Sequence, residues 1–389
     1  MVLTELEAGR IAPEAAVTNL GLGPRQLRRL RKRFLAGGPV TLNHGNLGRQ
    51  PWHAVDQKTK DLVVSIYLQP EYLGMNFHQF TEFLAERHGI ILSRPVVHRI
   101  LRAAGIAPPH PQRRRKRHRK RRERSAQEGY MLQLDASKHL WVEHLPEFAI
   151  PNATDDATSQ ICFLDRPTED LWGYMFLLRE ICTTKGIPRV VYTDGLSAFG
   201  AKNTNSPHWK RNLAQLEKVL QLLGIQHITA GSPEAKGRVE RTFLTLQDRL
   251  VSHLRADRVE TMEEVRRSYR TYQRNHNLRF AKPPADPMPA WRPWPQELNP
   301  DEVFCLHHVR TVRNDNTIVF LGLVIDLPPG PKNSSLARQR VEVLKSYDGT
   351  LVVKQGQTRL ALVLPVKAAR TTKGGSKSKS RDLVSADRI

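Results

Sequence analysis

The segment Arg189-Val-Val-Tyr-Thr-Asp-Gly195 decides how the middle of the chain folds. Its apolar and β-branched residues, Val190 to Thr193, predict a buried strand, and Asp194-Gly195 predicts a sharp exit from that strand. Around this segment, strand patterns alternate with helical patterns from Tyr130 onward. Strands that feed helices in this order predict a central α/β domain, which we expect to occupy residues 128–280.

Four strands and three helices are predicted inside this domain. The strands cover 131–142, 160–164, 189–193 and 225–229, and the helices cover 169–183, 209–223 and 233–256. Carboxyl ends of strands are where α/β folds bind their ligands, so acidic residues at those ends are the first candidates for a catalytic site.

The charge of the chain predicts a polyanionic partner. Lys and Arg total 61 against 38 for Asp and Glu, which leaves a formal net charge of +23. Each phosphate that a protein neutralises releases counterions and adds to affinity, so DNA is the expected partner. The alternative is a basic protein kept soluble by repulsion. No stretch approaches roughly 18 consecutive apolar residues, so we expect no membrane contact.

Cysteine usage favours a reducing compartment. The three cysteines, Cys162, Cys182 and Cys305, are scattered and form no Cys-x-x-Cys pair. An odd, scattered count argues against a disulfide framework, and without a Cys pair a structural zinc site is not expected. The prediction is a cytoplasmic, nucleoid-associated protein.

Residues 1–38 predict a helix-turn-helix module. Two short helical patterns are followed by a turn at Gly21 and an Arg-rich helix that runs to Phe34. Leu27, Leu30 and Phe34 would lie inward. The residues left to contact DNA are Arg25, Arg28, Arg29 and Arg31. The alternative is a small helical bundle with a solvated cationic face.

A linker rich in turn formers, residues 39–54, precedes a second predicted helix-turn-helix module at residues 55–108. Its last helix starts near Ser93, and its apolar stripe contains Val96, Val97, Ile100 and Leu101. The outward residues predicted to contact DNA are His98, Arg99 and Arg102. Two such modules would read a longer DNA end than one module could.

Four further segments complete the predicted organisation. A basic linker covers 109–127, a Pro- and Trp-rich linker 281–300, a small β-barrel or β-sheet module 301–366, and a disordered basic tail 367–389. Within the basic linker, ten of the twelve residues from Arg113 to Arg124 are Lys or Arg. Such a run suits phosphates, or it is only a solvated tether. The residues predicted to bind phosphate are Arg113, Arg114, Arg115, Lys116 and Arg117.

Three acidic residues of the α/β domain are candidates for phosphodiester chemistry. Cleavage needs charge relief on the attacking and leaving oxygens, which two Mg²⁺ ions about 4 Å apart provide when carboxylates hold them. Asp135 lies within the first strand, Asp194 ends the Val190–Thr193 strand, and Glu240 lies in the last predicted helix. Taken singly, each has another reading: an edge-strand charge, a turn residue and a solvated helix residue.

The chain resembles DDE transposases and retroviral-type integrases, most closely bacterial insertion-sequence transposases of the ISNCY type. The resembling segments are Leu134-Asp-Ala-Ser137 with Trp141, Asp155-Asp-Ala-Thr158, Tyr192-Thr-Asp-Gly195 with Phe199, and Ser232 through Arg249. The last of these is the most specific, and the similarity spans roughly residues 1–290. Two positions depart from the family, which often has Arg at Gly195 and Gln at Glu234.

The resemblance implies an RNase H-like catalytic core in which Asp135, Asp194 and Glu240 bind two Mg²⁺ ions, or Mn²⁺ as a substitute. It implies binding of terminal inverted repeats, cleavage at the 3′ ends, and strand transfer into target DNA by a homo-oligomer, at least a dimer. Lys236, Arg238 and Arg241 flank the glutamate and would contact the DNA backbone. The separation of 46 positions between Asp194 and Glu240 is longer than is usual in retroviral-type integrases.

Two other functions stay open at this point. One is a DNA-binding regulator in which the RNase H-like domain is a non-catalytic scaffold. The other is a metal-dependent nuclease that cuts DNA without joining it. The three acidic residues argue against the scaffold, because a scaffold has no reason to keep buried acids together.

Overall fold

The structure of the protein is a computed structural model, and it describes residues 1–43, 54–109, 123–194, 207–230, 237–365 and 383–384. For Asp194, residues 207–209, Ala230 and residues 383–384 it describes the backbone alone. The chain divides into two compact units, residues 1–63 and residues 64–389. None of the helices in the described ranges combines the length and the apolar character that a bilayer span requires.

The first unit is helical. Its elements are α1 (Val2–Glu7), α2 (Pro13–Leu20), α3 (Pro24–Gly37) and the first part of α4 (Gln57–Tyr67). Gly21 ends α2 with a φ of 61°, a left-handed conformation that glycine adopts without strain. Leu27 is buried in the core of this unit, and Leu30 and Phe34 pack against that core. The inward face of α3 is therefore the predicted one.

Helices α5 (Phe77–His88) and α6 (Arg94–Ala103) follow in the second unit. Asn76 begins α5, and its side-chain oxygen accepts a hydrogen bond from the Gln79 backbone N–H at 2.8 Å. On α6, Val97, Ile100 and Leu101 are buried. Three of the four residues of the predicted apolar stripe are therefore buried, and the fourth, Val96, is half-buried.

A five-stranded mixed sheet forms the centre of the second unit. Its strands are β1 (Met131–His139), β2 (Phe148–Asp155), β3 (Ile161–Phe163), β4 (Val190–Asp194) and β5 (Gln226–Ala230). The order across the sheet is β3-β2-β1-β4-β5. Strands β1, β2 and β3 pair antiparallel, while β4 lies parallel to both β1 and β5. Each parallel pair is joined by a long connection that contains a helix, and the connection from β1 to β4 also contains β2 and β3.

Helices cover both faces of this sheet. They are α7 (Leu171–Thr184), α8 (Pro207–Leu222), α9 (Gly237–Ala256) and α10 (Met262–Phe280). Leu132 and Leu134 of β1 belong to the core that α7 and α8 form on one face. Ile150 of β2 belongs to the core that α9 and α10 form on the other. The central α/β domain predicted from the strand and helix patterns is present.

Two elements of the central domain lie outside the predicted strands and helices. Strand β2 is buried along its whole length, yet it contains Pro151 and Asn152, residue types that are depleted in central strands. Helix α10 was also missed, although Thr261 and Glu264 form a capping box at its start. The Thr-x-x-Glu spacing was a readable signal for that helix.

The last part of the second unit is a β module that follows a short helix, α11 (Pro300–Val303). Its strands are β6 (Leu306–Thr311), β7 (Thr317–Phe320), β8 (Leu323–Asp326), β9 (Arg340–Lys345), β10 (Leu351–Gln355), β11 (Thr358–Val363) and β12 (Leu383–Val384). They form one sheet of order β11-β10-β9-β6 and a second of order β12-β8-β7. Strand β12 lies within the segment predicted to be a disordered tail; the other residues of 366–389 lie outside the described ranges.

Trp291 and Trp294 pack against the core under α7 and α8, which joins the β module to the central domain. Gly129 shows how closely the chain approaches there. Its φ is 77°, and a Cβ at this position would lie 2.3 Å from the Trp291 ring. Only glycine suits that contact.

Candidate active site

Asp135 lies on the face of β1 that helix α9 covers. Neighbouring side chains of a strand point to opposite faces, and Leu134 is in the core under α7 and α8. Ser137, two residues further along β1, accepts a hydrogen bond from Gln247 of α9 at 3.2 Å. Asp135 shares this face and is half-buried, with Oδ1 accepting from the Ala136 N–H at 3.0 Å.

Asp194 is the last residue of β4, next to the strand that carries Asp135. In the parallel pairing of β1 with β4, Gln133 lies opposite Tyr192. Asp135 and Asp194 each lie two residues beyond this pair, so they occupy corresponding positions on neighbouring strands. The two predicted ligand positions are therefore neighbours across the sheet.

Glu240 lies in the first turn of α9 and is exposed. The adjacent Val239 is buried, and with Phe243 it anchors this end of α9 in the core that includes Trp141. Thr242 lies beside Thr154 of β2, with 3.4 Å between the two hydroxyl oxygens. The helix that carries Glu240 thus packs on the sheet face that carries Asp135.

Metal binding would need donors from all three positions. Carboxylate oxygens alone make a hard donor set, which fits a divalent cation such as Mg²⁺. Among residues with described side chains, no group of three or more His, Cys, Asp or Glu lies close enough together to hold a metal. The side chain of Asp194 is outside that set, so the assignment of the three ligands stays a prediction.

Asp155 and Asp156, at the end of β2, are both buried. Asp155 accepts hydrogen bonds from the Gly129 N–H at 2.8 Å, the Thr158 N–H at 2.7 Å and the Thr158 hydroxyl at 2.8 Å. These contacts form a turn, and they hold the loop after β2 against the start of the domain.

Asp156 has a different set of partners. Its Oδ1 accepts from Gln133 Nε2 at 2.6 Å and from the Arg238 guanidinium. Its Oδ2 accepts from the Ser125 N–H at 2.8 Å and the Ser125 hydroxyl at 3.0 Å. Sequence reasoning did not find this network, because Gln133, Asp156 and Arg238 are far apart in the chain and nothing local pairs them.

The residues predicted to contact DNA fall into three groups. Those that are exposed are Arg25, Arg28, Arg29, His98, Arg99, Arg102 and Arg241. Those that pair with an acidic side chain are Arg31, with Glu7, and Arg238, with Asp156. Those that lie outside the described residues are Arg113, Arg114, Arg115, Lys116, Arg117 and Lys236. A DNA contact stays a prediction for all of them.

Helix α5 packs against the second half of α9, which fixes α6 relative to the sheet. Gln79 Nε2 donates to the Arg249 carbonyl at 2.7 Å, and Asn76 donates to Asp248 at 2.8 Å. The Phe83 ring stacks on His253 with 5.7 Å between centroids. The exposed face of α6 is therefore held in a defined position relative to α9.

The same contact region predicts a loss of stability in mild acid. Burial, with Arg249 and Arg279 nearby, lowers the pKa of His276 from 6.5 to about 4. The unfolded chain thus binds this proton at higher pH than the folded chain does. The contribution of the neutral His276 ring to the free energy of unfolding is complete above about pH 6.5. It is lost as the pH falls toward 4, and at pH 5 the loss is about 2 kcal/mol.

Chemical unfolding measured between about pH 7 and pH 5 checks this expectation. His276→Gln removes the titrating ring, so its stability should fall less over this range than that of the unmodified chain. The matched control is His78→Gln, at an exposed position of α5. If both variants reduced the loss of stability between about pH 7 and pH 5 to the same extent, the assignment to His276 would be contradicted.

Two curated relatives match most of the chain. The "Transposase for insertion sequence IS1202" of Streptococcus pneumoniae is 28% identical over 90% of this chain and 82% of its own length. The "Putative transposase y4bF" of Sinorhizobium fredii (strain NBRC 101917 / NGR234) is 30% identical over 91% of this chain and 77% of its own length. No protein-family model matches the chain.

Among solved structures, one chain of a simian T-cell lymphotropic virus intasome in complex with PP2A regulatory subunit B56 gamma is similar to this chain. The match covers 78% of this chain and 96% of the intasome chain. The identity is 16% and the TM-score 0.33. The HTLV-2 integrase catalytic core domain in complex with magnesium matches 38% and 87%, at 16% identity and a TM-score of 0.30. Both TM-scores are low, and the α/β core is recognised by its own strand order, β3-β2-β1-β4-β5.

Proposed function

This chain belongs to the insertion-sequence transposases, and from that premise we propose that it cuts the ends of a mobile DNA element and joins them to target DNA. The proposal makes it a metal-dependent polynucleotidyl transferase with an RNase H-like core. The observation that carries the proposal is the placement of Asp135 and Asp194 on neighbouring strands, with α9 and its Glu240 packed on the face that holds Asp135.

Asp135, Asp194 and Glu240 would hold two Mg²⁺ ions, for which Mn²⁺ is a chemically similar substitute. When bound, such ions stabilise negative charge on the attacking and leaving oxygens of a phosphodiester. The role of the three carboxylates is to fix the ions at one place against the scissile phosphate. Rigid secondary structure suits this role, because strands and helices hold side chains more firmly than loops do.

The reaction proceeds in two displacements at phosphorus. In the first, a water oxygen attacks, the bond from phosphorus to the 3′ oxygen of the element breaks, and a 3′-hydroxyl remains on the element. In the second, that hydroxyl attacks a phosphorus of the target strand, whose own 3′ oxygen leaves. One bond forms and one breaks each time, so the joining step needs no external energy source.

We assign DNA recognition to the two predicted helix-turn-helix modules, residues 1–38 and 55–108. The exposed arginines of α3 and the exposed side chains of α6 would bind the terminal inverted repeats, as helices of helix-turn-helix modules do. The net charge of +23 supports a DNA partner. Both ends of the element must be joined in one event, which requires a homo-oligomer of at least two copies on DNA. We place this reaction in the bacterial cytoplasm.

The test uses the purified chain, labelled DNA carrying the element's own end, a supercoiled target, and Mg²⁺ with or without a chelator. Metal-dependent joined product is the expected result. Cleaved product without joining would assign the chain to the nucleases instead. Specific binding without either product would assign it to the DNA-binding regulators.

The role of α3 is tested by Arg28→Ala. We expect binding to the terminal repeat to weaken by about tenfold, because one good contact to DNA contributes about 1 to 3 kcal/mol. If Arg28 contacts a phosphate, the slope of log affinity against log salt should also fall by about 0.9. Titrations of labelled DNA at several salt concentrations measure both quantities.

Arg33→Ala is the matched control, since it removes the same charge from the same helix. The Arg33 guanidinium is engaged by the Asn43 carbonyl at 3.0 Å, within the first unit. Its loss should change affinity less than the loss of Arg28 does. Equal losses would assign the effect to net charge rather than to a contact made by Arg28.

A further inference from the structure

Asp156 connects the two elements that carry the proposed metal ligands. Its carboxylate is fully buried, with 0% of the side chain exposed, and it accepts hydrogen bonds from Gln133 on β1 and Arg238 on α9. Gln133 precedes Asp135 by two residues on the same face of the strand. Arg238 precedes Glu240 by two residues in the first turn of the helix. One carboxylate therefore joins both elements close to their proposed ligands.

The start of α9 is held by apolar contacts and by the ion pair between Asp156 and Arg238. Val239 and Phe243 anchor the first turns in an apolar core, which allows small sliding movements because such contacts are not directional. Hydrogen bonds to a charged group are directional and about twice as strong as neutral ones. The Asp156–Arg238 ion pair, with only 18% of the arginine side chain exposed, supplies this directional contact.

We propose that Asp156 is a positioning residue that sets the distance between β1 and the first turn of α9, and thereby between the carboxylates of Asp135 and Glu240. The proposal rests on the proposed function, since it takes these two carboxylates as metal ligands. Asp156 itself touches no reacting atom; it acts through Gln133 and Arg238. Losing it widens the metal site without removing a ligand.

Asp155 provides a matched control at the adjacent position. It is also buried, with 3% exposed, and it also accepts hydrogen bonds from backbone and hydroxyl donors. Its carboxylate accepts hydrogen bonds from Gly129 and Thr158, which lie on neither β1 nor α9. Asp155→Asn therefore reports the cost of removing a buried carboxylate charge from this turn without loosening the link between β1 and α9.

The experiment measures Mn²⁺ binding to the full chain by titration calorimetry, together with the free energy of unfolding. We expect Asp156→Asn and Arg238→Gln each to weaken Mn²⁺ binding by about tenfold or more, the size of effect seen when groups that orient metal ligands are lost. Asp155→Asn should bind Mn²⁺ within about twofold of the unmodified chain, although its unfolding free energy falls. The double variant Asp156→Asn/Arg238→Gln should lose no more than either single variant, because both remove the same contact.

Equal weakening by Asp155→Asn and Asp156→Asn would overturn the inference, since the effect would then follow from lost stability alone. Unchanged Mn²⁺ affinity in Asp156→Asn would overturn it as well. An unmodified chain that binds no Mn²⁺ and cuts no DNA would instead overturn the proposed function, and the inference would fall with it. If Asp156→Asn does not fold, Arg238→Gln tests the same contact from the helix side.

Discussion

Replacing Asp194 with asparagine should lower cleavage of the element's end by at least about 10³-fold, because a metal ion contributes several kcal/mol of charge stabilisation at the transition state. Asparagine has nearly the same shape but no negative charge, so it binds a divalent cation much more weakly. Binding of the terminal DNA should stay nearly intact, since that role is assigned to α3 and α6. Cleavage assays and binding titrations with the same labelled DNA separate the two effects.

Glu240→Gln and Asp135→Asn should behave in the same way, because all three carboxylates are proposed to serve one site. The matched control is Glu234→Gln, which removes a negative charge six positions before Glu240 and leaves every proposed ligand in place. Full activity of Asp194→Asn would remove that residue from the site. Loss of activity in Glu234→Gln as large as in Glu240→Gln would point to general charge effects.

Replacing Glu82 with glutamine should lower the free energy of unfolding by about 3 to 5 kcal/mol, the cost of leaving a buried charge without its partner. The Glu82 carboxylate, 12% exposed, accepts hydrogen bonds from Arg249 of α9 and, at 2.6 Å, from Arg279 of α10. Without it, the buried Arg249 guanidinium loses its carboxylate partner and Arg279 keeps only its contact with the exposed Glu86. Helices α5 and α6 would then be held less firmly on α9.

Glu86→Gln is the matched control on the same helix. Glu86 pairs with Arg279 at 2.7 Å, but 48% of its side chain is exposed. Exposed ion pairs contribute about 0 to 1 kcal/mol, so this variant should unfold nearly as the unmodified chain does. Denaturant unfolding gives both free energies, and hydrogen exchange in α5 and α6 shows whether the loss is local. Similar values for the two variants would contradict the importance of the buried pair.

Local signals in the sequence were sufficient for most elements of the fold. The helical spacing of Leu27, Leu30 and Phe34 predicted the inward face of α3, and that of Val97, Ile100 and Leu101 predicted the buried face of α6. Strands β1, β3, β4 and β5 coincide with predicted strands. These successes share a cause, since the periodicity of apolar residues is set by the geometry of a single helix or strand.

Strand β2 was missed for the opposite reason. Its residues Pro151 and Asn152 are unfavourable locally, and the strand exists because neighbours on both sides pair with it. Tertiary context overrides propensity in such a case. Pairing between distant segments also decides the neighbours of β1. Strand β2 lies antiparallel on one side of β1, and β4 lies parallel on the other side.

The sequence by itself determined the net charge of +23, most of the strands and helices of the central domain, and the three acidic residues that carry the proposed chemistry. All of these follow from residue types and from short-range spacing along the chain. Only the tertiary structure placed Asp135 beside the end of β4, turned its strand face toward α9, and joined β1 to α9 through the buried Asp156. Such contacts form between residues far apart in the chain, and their energies depend on burial, which no local pattern records.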